Sequence, residues 1–296
     1  MYGASPWTVA WRLPFVIIWE IYHLFCLGVF LVVTRPLAYA KAVPIPTPFG
    51  TFKFHPIEVG KCFNLLMHAH LFMLLAPSKC KVSFGDGKGN FIDPSPFVRK
   101  DKNGNVTYFN LPRRGIWMVN HQLYTDWLYL WGLAYSTGLG GRFFCVLKAS
   151  LGKVPVLGPA MAPARFILMS RNWERDEKPM TKTLQCIAKE SGDEFVLQIF
   201  PEGTDLARKS LAKSQEFARK NGFPIFERTL APRSTGIQHC IEILGKEIPD
   251  MHLLDFTLAY SDGSGLASER YPGGKDSLIS VTNNYWKDPY DCAYTL

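Results

Sequence analysis

Hydrophobic and polar positions follow two regimes along this chain. The N-terminal part holds long apolar runs. Pro14 to Val33 is nearly all apolar for 20 residues, about the length that crosses a bilayer. Glu20 and His23 interrupt it. They are three apart and share one helical face, which should meet protein or water rather than lipid. Thr34-Arg35-Pro36 follows in place of a small-residue cleavage site. The run therefore predicts a membrane-attached helix, crossing the bilayer or lying along its interface, and not a signal peptide. A second apolar run, Cys62 to Ala76, stands between Lys61 and Lys79. Its length suits a second, shallow membrane helix paired with the first. Pro36, Pro44, Pro46, Pro48 and Pro56 predict an irregular connector between the two.

From residue 80 the pattern changes to short apolar stretches bounded by turn residues. Strands are expected at Lys81–Phe84, Val106–Asn110, Gly115–Val119, Phe143–Leu147, Arg165–Ser170, Phe195–Phe200 and Leu253–Tyr260. Gly85 to Asn90 and Lys100 to Asn105 read as polar turns. The glycine alternation of the first has no helix after it, as a dinucleotide loop would need. Helical patterns are expected at Trp127–Leu133, at Pro179–Glu190 with Pro near its start, from the loop after Phe200 to Asn221 with Gly222 as the stop, and at Ile237–Leu244. Gly192-Asp193 breaks the second of these. Strands alternating with helices predict an α/β fold with a mostly parallel sheet covered by helices on both faces. The expected organisation is a membrane-anchoring helical region over 1–79, a catalytic domain over 80–260 and a turn-rich extension over 261–296.

Charge sharpens this picture. The net charge is +8, and from Trp127 to Trp173 no Asp or Glu occurs among 47 residues. Arg142, Lys148, Lys153, Arg165 and Arg171 fall in that stretch. Such a segment predicts a surface that meets something anionic, a phospholipid leaflet or a phosphate-bearing substrate. Nucleic acid fits less well, because no compact Arg/Lys cluster with interleaved aromatics appears. The seven cysteines show no C-x-x-C spacing and read as reduced thiols of a cytosol-facing protein. His68 and His70 are two apart and point to different helix faces; with no carboxylate or Cys near them in sequence, no metal site is expected.

The chemistry concentrates at two strand ends. His121 and Asp126 lie between the Gly115–Val119 strand and the helix that follows. On one ideal helix, residues five apart stand roughly 140° apart and could not meet. With His121 in the turn and Asp126 in the first helical turn, the carboxylate can fix the imidazole tautomer and leave the other nitrogen free to take a proton. Pro201-Glu202-Gly203-Thr204 follows a second buried strand, where a loop entering a helix offers backbone N–H groups to an anion. No G-x-S-x-G elbow occurs, which disfavours a serine hydrolase.

The strings Asn120-His121-Gln122-Leu123-Tyr124-Thr125-Asp126-Trp127 and Phe200-Pro201-Glu202-Gly203-Thr204 together resemble the glycerolipid acyltransferases, the lysophosphatidic acid acyltransferase superfamily. The wording is most similar to the eukaryotic membrane branch of lysocardiolipin, lysophosphatidylinositol and lysophosphatidic acid acyltransferases, and it covers roughly residues 80 to 260. The resemblance implies a glycerol-3-phosphate acyltransferase-like fold on an endoplasmic reticulum membrane. It implies transfer of a fatty acyl group from acyl-CoA to a lysophospholipid hydroxyl, with acyl-CoA as co-substrate, membrane lipids as surroundings and no resident cofactor or metal. By the same resemblance His121 is the general base and Asp126 orients it. Arg171, Gly203 and Thr204 anchor phosphate, with Arg233, in the Pro-containing fourth element, as a further candidate. Glu202 accepts from the acceptor hydroxyl. Lys148, at the end of the Phe143–Leu147 strand, is a further substrate-binding candidate, and Leu151–Gly158 after it resembles the family's Lys-rich, Pro- and Gly-containing segment beside the acyl-chain entrance. A lipid hydrolase, or a lipid-binding protein of this fold without chemistry, are the competing classes.

Overall fold

A computed structural model describes residues 6–34, 43–47, 50–75, 80–123, 126–190, 194–260 and 292–295. Helix α1 (Pro6–Thr34) leads through a hairpin of β1 (Val43–Thr47) and β2 (Gly50–Phe54) to α2 (Pro56–Leu75). Strands β3 (Cys80–Gly85) and β4 (Phe91–Ile92) form a second hairpin, and β5 (Val98–Lys100) pairs with β6 (Val106–Phe109) in a third. The α/β unit then runs β7 (Arg114–Val119), α3 (Asp126–Ser136), β8 (Phe143–Lys148), the short α4 (Leu157–Met161), β9 (Ile167–Met169), α5 (Trp173–Glu190), β10 (Phe195–Ile199), α6 (Arg208–Asn221), α7 (Ser234–Glu247) and β11 (His252–Tyr260). A last strand, β12 (Cys292–Thr295), lies antiparallel to β11 and parallel to β3.

The strand order in the main sheet is β4-β3-β12-β11-β7-β10-β8-β9, and the five strands from β11 to β9 are all parallel. Alternation along each strand feeds two cores. Trp117, Val119, Phe143, Cys145, Val196 and Phe256 pack on one side, against Leu128, Trp131 and Ala134 of α3 and Leu65 of α2. Ile116, Phe144, Phe195, Leu197 and Ile199 pack on the other, against Leu184 and Ile187 of α5 and Cys240 and Leu244 of α7. A parallel sheet covered on both faces needs strands that are apolar throughout, and β10 is buried at every position.

Several elements depart from their expected bounds. The irregular connector contains the β1–β2 hairpin, with Pro44 and Pro46 in a two-stranded unit where a missing N–H is tolerated. Strand β6 pairs with β5 and stays outside the main sheet. Helix α5 starts at Trp173, not Pro179, because the Asn172 side chain accepts from Arg175 N at 3.3 Å and nucleates the helix a turn and a half earlier. Helix α6 begins only at Arg208, after an extended Ala207. Gly192-Asp193 and nearly all of the 261–296 extension lie outside the described residues. The two polar turns are built alike: Asp86 accepts from Lys88 N and Asn90 N, and Asp101 from Asn103 N and Asn105 N.

No described helix is long and apolar enough to cross a membrane. Helix α1 buries Val16, His23 and Leu27 on one stripe and exposes Ile17, Ile18, Ile21, Tyr22, Phe25, Val29 and Val32 around it. The buried stripe packs on α2. His23 Nε2 stands 2.9 Å from Asn64 Oδ1, and Trp19 Nε1 donates to the Met67 carbonyl at 3.3 Å. Glu20 and His23 do share the face that meets protein. Gly60 permits the crossing, since a Cβ there would stand 2.2 Å from the Phe30 ring.

Gly115 is the tightest point between β7 and β11. A Cβ there would lie 2.6 Å from the His252 carbonyl oxygen, which is backbone and cannot step aside. Gly115→Ala is expected to cost about 1–3 kcal/mol. Gly132, exposed on α3 with open space around it, gives the opposite expectation, a gain of up to about 1 kcal/mol on Gly132→Ala. Urea unfolding of the two variants checks this, and equal midpoints would contradict it.

Candidate active site

The β7 strand ends at Val119, and Asn120 fixes what comes next. Its Oδ1 accepts from Leu258 N at 2.6 Å and its Nδ2 donates to Leu258 O at 3.0 Å, extending the β7–β11 pairing by a side chain. His121 then turns off the sheet. Asp126 is the first residue of α3 and is fully buried. Its Oδ2 accepts from His121 Nδ1 at 2.9 Å, Gln122 N at 2.7 Å and Leu123 N at 2.9 Å. One carboxylate oxygen therefore closes the loop and holds the imidazole. The helix N-terminus favours its charge. Because Nδ1–H points at Asp126, Nε2 carries the lone pair, and His121 stands on the wall of a cavity of about 750 Å³. Phe200, at the end of β10, stacks flat on the His121 ring with centroids 3.9 Å apart.

The second loop is tied to the first. Leu206 N donates to the His121 carbonyl at 2.8 Å, and Gly203 N to Phe200 O at 3.1 Å. Gly203 has φ +72°, a left-handed conformation that favours glycine, and the Arg233 side chain lies beside its Cα. Arg233 N donates to Pro201 O at 2.8 Å, which brings the fourth element onto the same rim.

Glu202 takes a different place from the one its motif suggests. It is buried, off the cavity wall, and its carboxylate accepts from the backbone N–H groups of His121 and Leu230. Burial pushes its pKa up to about 7 against those hydrogen bonds. Among the described residues its Oε2 has no hydrogen-bond partner. Glu202 thus brackets two loops rather than facing the space where an acceptor would bind.

Lys148, Arg171, Gly203, Thr204 and Arg233 all line the cavity with His121. Arg171 is exposed and held at φ +68°, an unusual conformation for a side-chain-bearing residue. Of the two acids that could pair it, Glu174 and Asp176, the second has its Oδ1 engaged by Ser170 N at 2.9 Å and Ser170 Oγ at 2.7 Å. The acid-free stretch is not wholly free for an anion. Arg142 pairs with Glu58 of α2 at 2.7 Å.

Away from this cationic rim the cavity is apolar and aromatic. Leu27 and Phe30 of α1, Trp127 and Trp131 of α3, and Phe166 contribute to its walls. Sequence reasoning missed Lys61, which also lines the cavity. Its Nζ donates to the Phe143 carbonyl at 3.1 Å and sits 3.8 Å from the Phe144 ring centroid. Burial pushes its pKa down to about 7. The sole sequence signal was its place as the charged boundary of an apolar run. His68 lines the cavity as well, and the fold sets Glu20 and His23 beside it, with potential ligand atoms of the three residues within 4.8 Å of one another. The carboxylate that sequence reasoning did not find near His68 comes from α1, together with His23. Tyr124 and Thr125 of the first motif lie outside the described residues.

Comparison with known proteins falls on the same elements. The acyltransferase family profile matches residues 105–245. The chain is 31% identical over 242 residues to 2-acyl-1-lysophosphatidylinositol acyltransferase of Saccharomyces cerevisiae, a match covering 70% of this chain and 58% of that protein. It is 33% identical over 195 residues to a probable 1-acyl-sn-glycerol-3-phosphate acyltransferase of Arabidopsis thaliana, covering 64% and 50%. It is 40% identical over 151 residues to lysocardiolipin acyltransferase 1 of Danio rerio, covering 50% and 38%. The chain thus spans less than two thirds of the length of each of these relatives. The matched segment holds the His121–Asp126 dyad, the Glu202 bracket and the central parallel strands that set them side by side, and it is this segment that is similar to the acyltransferase family.

Proposed function

We propose that this protein transfers a fatty acyl group from acyl-CoA to the free hydroxyl of a lysophospholipid. The observation that carries the reading is one imidazole, held by a buried carboxylate, on the wall of a largely apolar cavity with a cationic rim. His121 Nε2 removes the hydroxyl proton as the oxygen attacks the thioester carbonyl. The C–S bond then breaks, CoA leaves as the thiolate, and the imidazolium returns the proton. Asp126 stabilises the imidazolium between these steps. Holding two substrates in one cavity supplies much of the remaining acceleration. No acyl-enzyme, metal or other cofactor enters the scheme. Cys145 lines the cavity, but burial raises its thiol pKa strongly, which makes it a poor nucleophile.

Lys148, Arg171 and Arg233 line the cavity together with Asp176 and Asp205, and the Gly203–Thr204 loop brings backbone close to them. A phosphate-bearing headgroup suits this end and the acyl chain suits the aromatic walls. The relatives named above act, by their names, on lysophosphatidylinositol, lysocardiolipin and 1-acylglycerol-3-phosphate, and these are the acceptors proposed here. The exposed apolar side of α1 supports attachment along one leaflet, at the endoplasmic reticulum by the sequence resemblance.

His121→Ala should lower acyl transfer from acyl-CoA to a lysophospholipid about 10²–10⁴-fold with an unchanged melting curve. Full turnover in that variant, measured with labelled acyl-CoA over a panel of lysophospholipids, would sink the mechanism. Asp126→Ala should in addition destabilise the fold by about 2–4 kcal/mol, because two buried backbone donors and the imidazole lose their acceptor; an undisturbed urea midpoint would count against this account of Asp126.

Glu202 predicts a pH effect with a definite sign. A carboxyl raised from 4.5 to about 7 binds its proton more tightly in the folded state. Its contribution to stability is full below pH 4.5 and is lost as the pH rises to about 7. Urea unfolding between these limits should show wild-type stability falling with pH relative to Glu202→Gln, and parallel profiles would remove the bracket argument.

A further inference from the structure

The segment after the second catalytic loop exposes apolar side chains that the mechanism does not use. Helix α6 ends at Gly222, which takes φ +68° and closes the helix with its N–H on the Ala218 carbonyl. Phe223 N donates to the same carbonyl at 3.0 Å. Pro224 fixes the next backbone angle, and Gln215 Nε2 donates to Phe226 O at 3.0 Å. The loop is thus pinned back onto α6. Its side chains nevertheless point outward: Phe217 and Phe223 are each 54% exposed, Ile225 50% and Phe226 41%. Phe217 and Phe223 are neighbours, with ring centroids 6.0 Å apart. An ordered loop that, with Phe217 of α6, holds four large apolar groups in water marks a contact surface.

Charge identifies the occupant. Residues 208–228 carry six basic residues against two acidic ones. Lys213 and Lys220, the latter paired with Glu216 at 2.8 Å, flank Phe217 at helical spacing, and Arg219 is exposed beside them. Aromatic groups set in a basic surround match the interface of an anionic phospholipid leaflet.

Position gives the contact a purpose. Gln122, the residue after His121, donates from Nε2 to the Arg228 carbonyl at 2.9 Å. Leu230 N donates to the Glu202 carboxylate, and Ala231 N to Ser214 Oγ at 2.8 Å. The apolar loop is therefore joined by hydrogen bonds to both catalytic loops.

We infer that Phe217, Phe223, Ile225 and Phe226, with the surrounding Lys213, Arg219 and Lys220, form a membrane-docking patch for anionic lipid, separate from α1, that seats the catalytic end of the cavity on the leaflet. The inference deepens the membrane reading above and rests on it, but its readout needs no turnover.

The test is amide hydrogen exchange of the full chain with and without vesicles, one set of pure phosphatidylcholine and one mixed with phosphatidylserine. Mixed vesicles should protect the amides of 219–228 as well as those of 14–32. Phe223→Ser/Phe226→Ser should abolish the first protection, keep the second and weaken vesicle partition about tenfold, with an unchanged melting curve. Lys213→Gln and Arg219→Gln should each weaken partition to mixed vesicles about fivefold and leave partition to pure phosphatidylcholine unaltered. Protection confined to 14–32 would overturn the patch and leave α1 as the attachment, with a protein partner as the reading for the exposed phenylalanines. Absence of wild-type binding to either vesicle would overturn the membrane reading together with the patch, while acyl transfer to a dispersed acceptor would still be measurable.

Discussion

The site depends on one oxygen atom. Asp126 Oδ2 receives the imidazole and two backbone N–H groups, and it does so with no exposure to solvent. A buried carboxylate without partners would be costly, and this one is held by donors that are themselves part of the loop it closes. The arrangement is reciprocal. The carboxylate holds the shape of the loop, and the loop supplies the donors that the buried carboxylate accepts. The direction of the free Nε2 lone pair follows from it.

Around that bond the fold solves a packing problem and a charge problem on the same strands. In a parallel sheet covered on both faces, the loops at the carboxyl ends of the strands are free to carry polar groups, and the dyad and the Glu202 loop stand at the ends of β7 and β10. Glu202 and Leu206 join these two ends, and Arg233 N joins the fourth element to them. The cavity has cations on its rim and aromatic rings in its walls, and Phe200 serves as the floor on which the imidazole lies. Lys61, set against the Phe144 ring, is tied to a sheet carbonyl, and burial brings it down to about 7.

The N-terminal helices show how tertiary context divides the faces of an apolar run. A length of 20 residues suits a bilayer, yet the polar pair within it faces α2. The helix then has one face for protein and a wide face of Ile, Tyr, Phe and Val turned outward. Leu27 and Phe30 reach the cavity, so the helix whose outer side is apolar also builds the wall of the site.

By itself the sequence determined the strand and helix alternation, the parallel α/β class and the meeting of His121 with Asp126. These are local properties: side-chain period, turn chemistry and a five-residue separation that only a turn can close. It also indicated that Lys148, Arg171, Gly203, Thr204 and Arg233 belong to one place, through motif resemblance. Only the tertiary structure decided the rest. The sheet order, the exclusion of β6 from it, the retreat of Glu202 from the cavity, the stacking of Phe200, the burial of Lys61 and the approach of Glu20 to His68 all join residues far apart in the chain. The physical reason is that burial and hydrogen-bond partners are set by which elements pack together, and nothing in a local pattern of apolar and polar residues fixes that pairing.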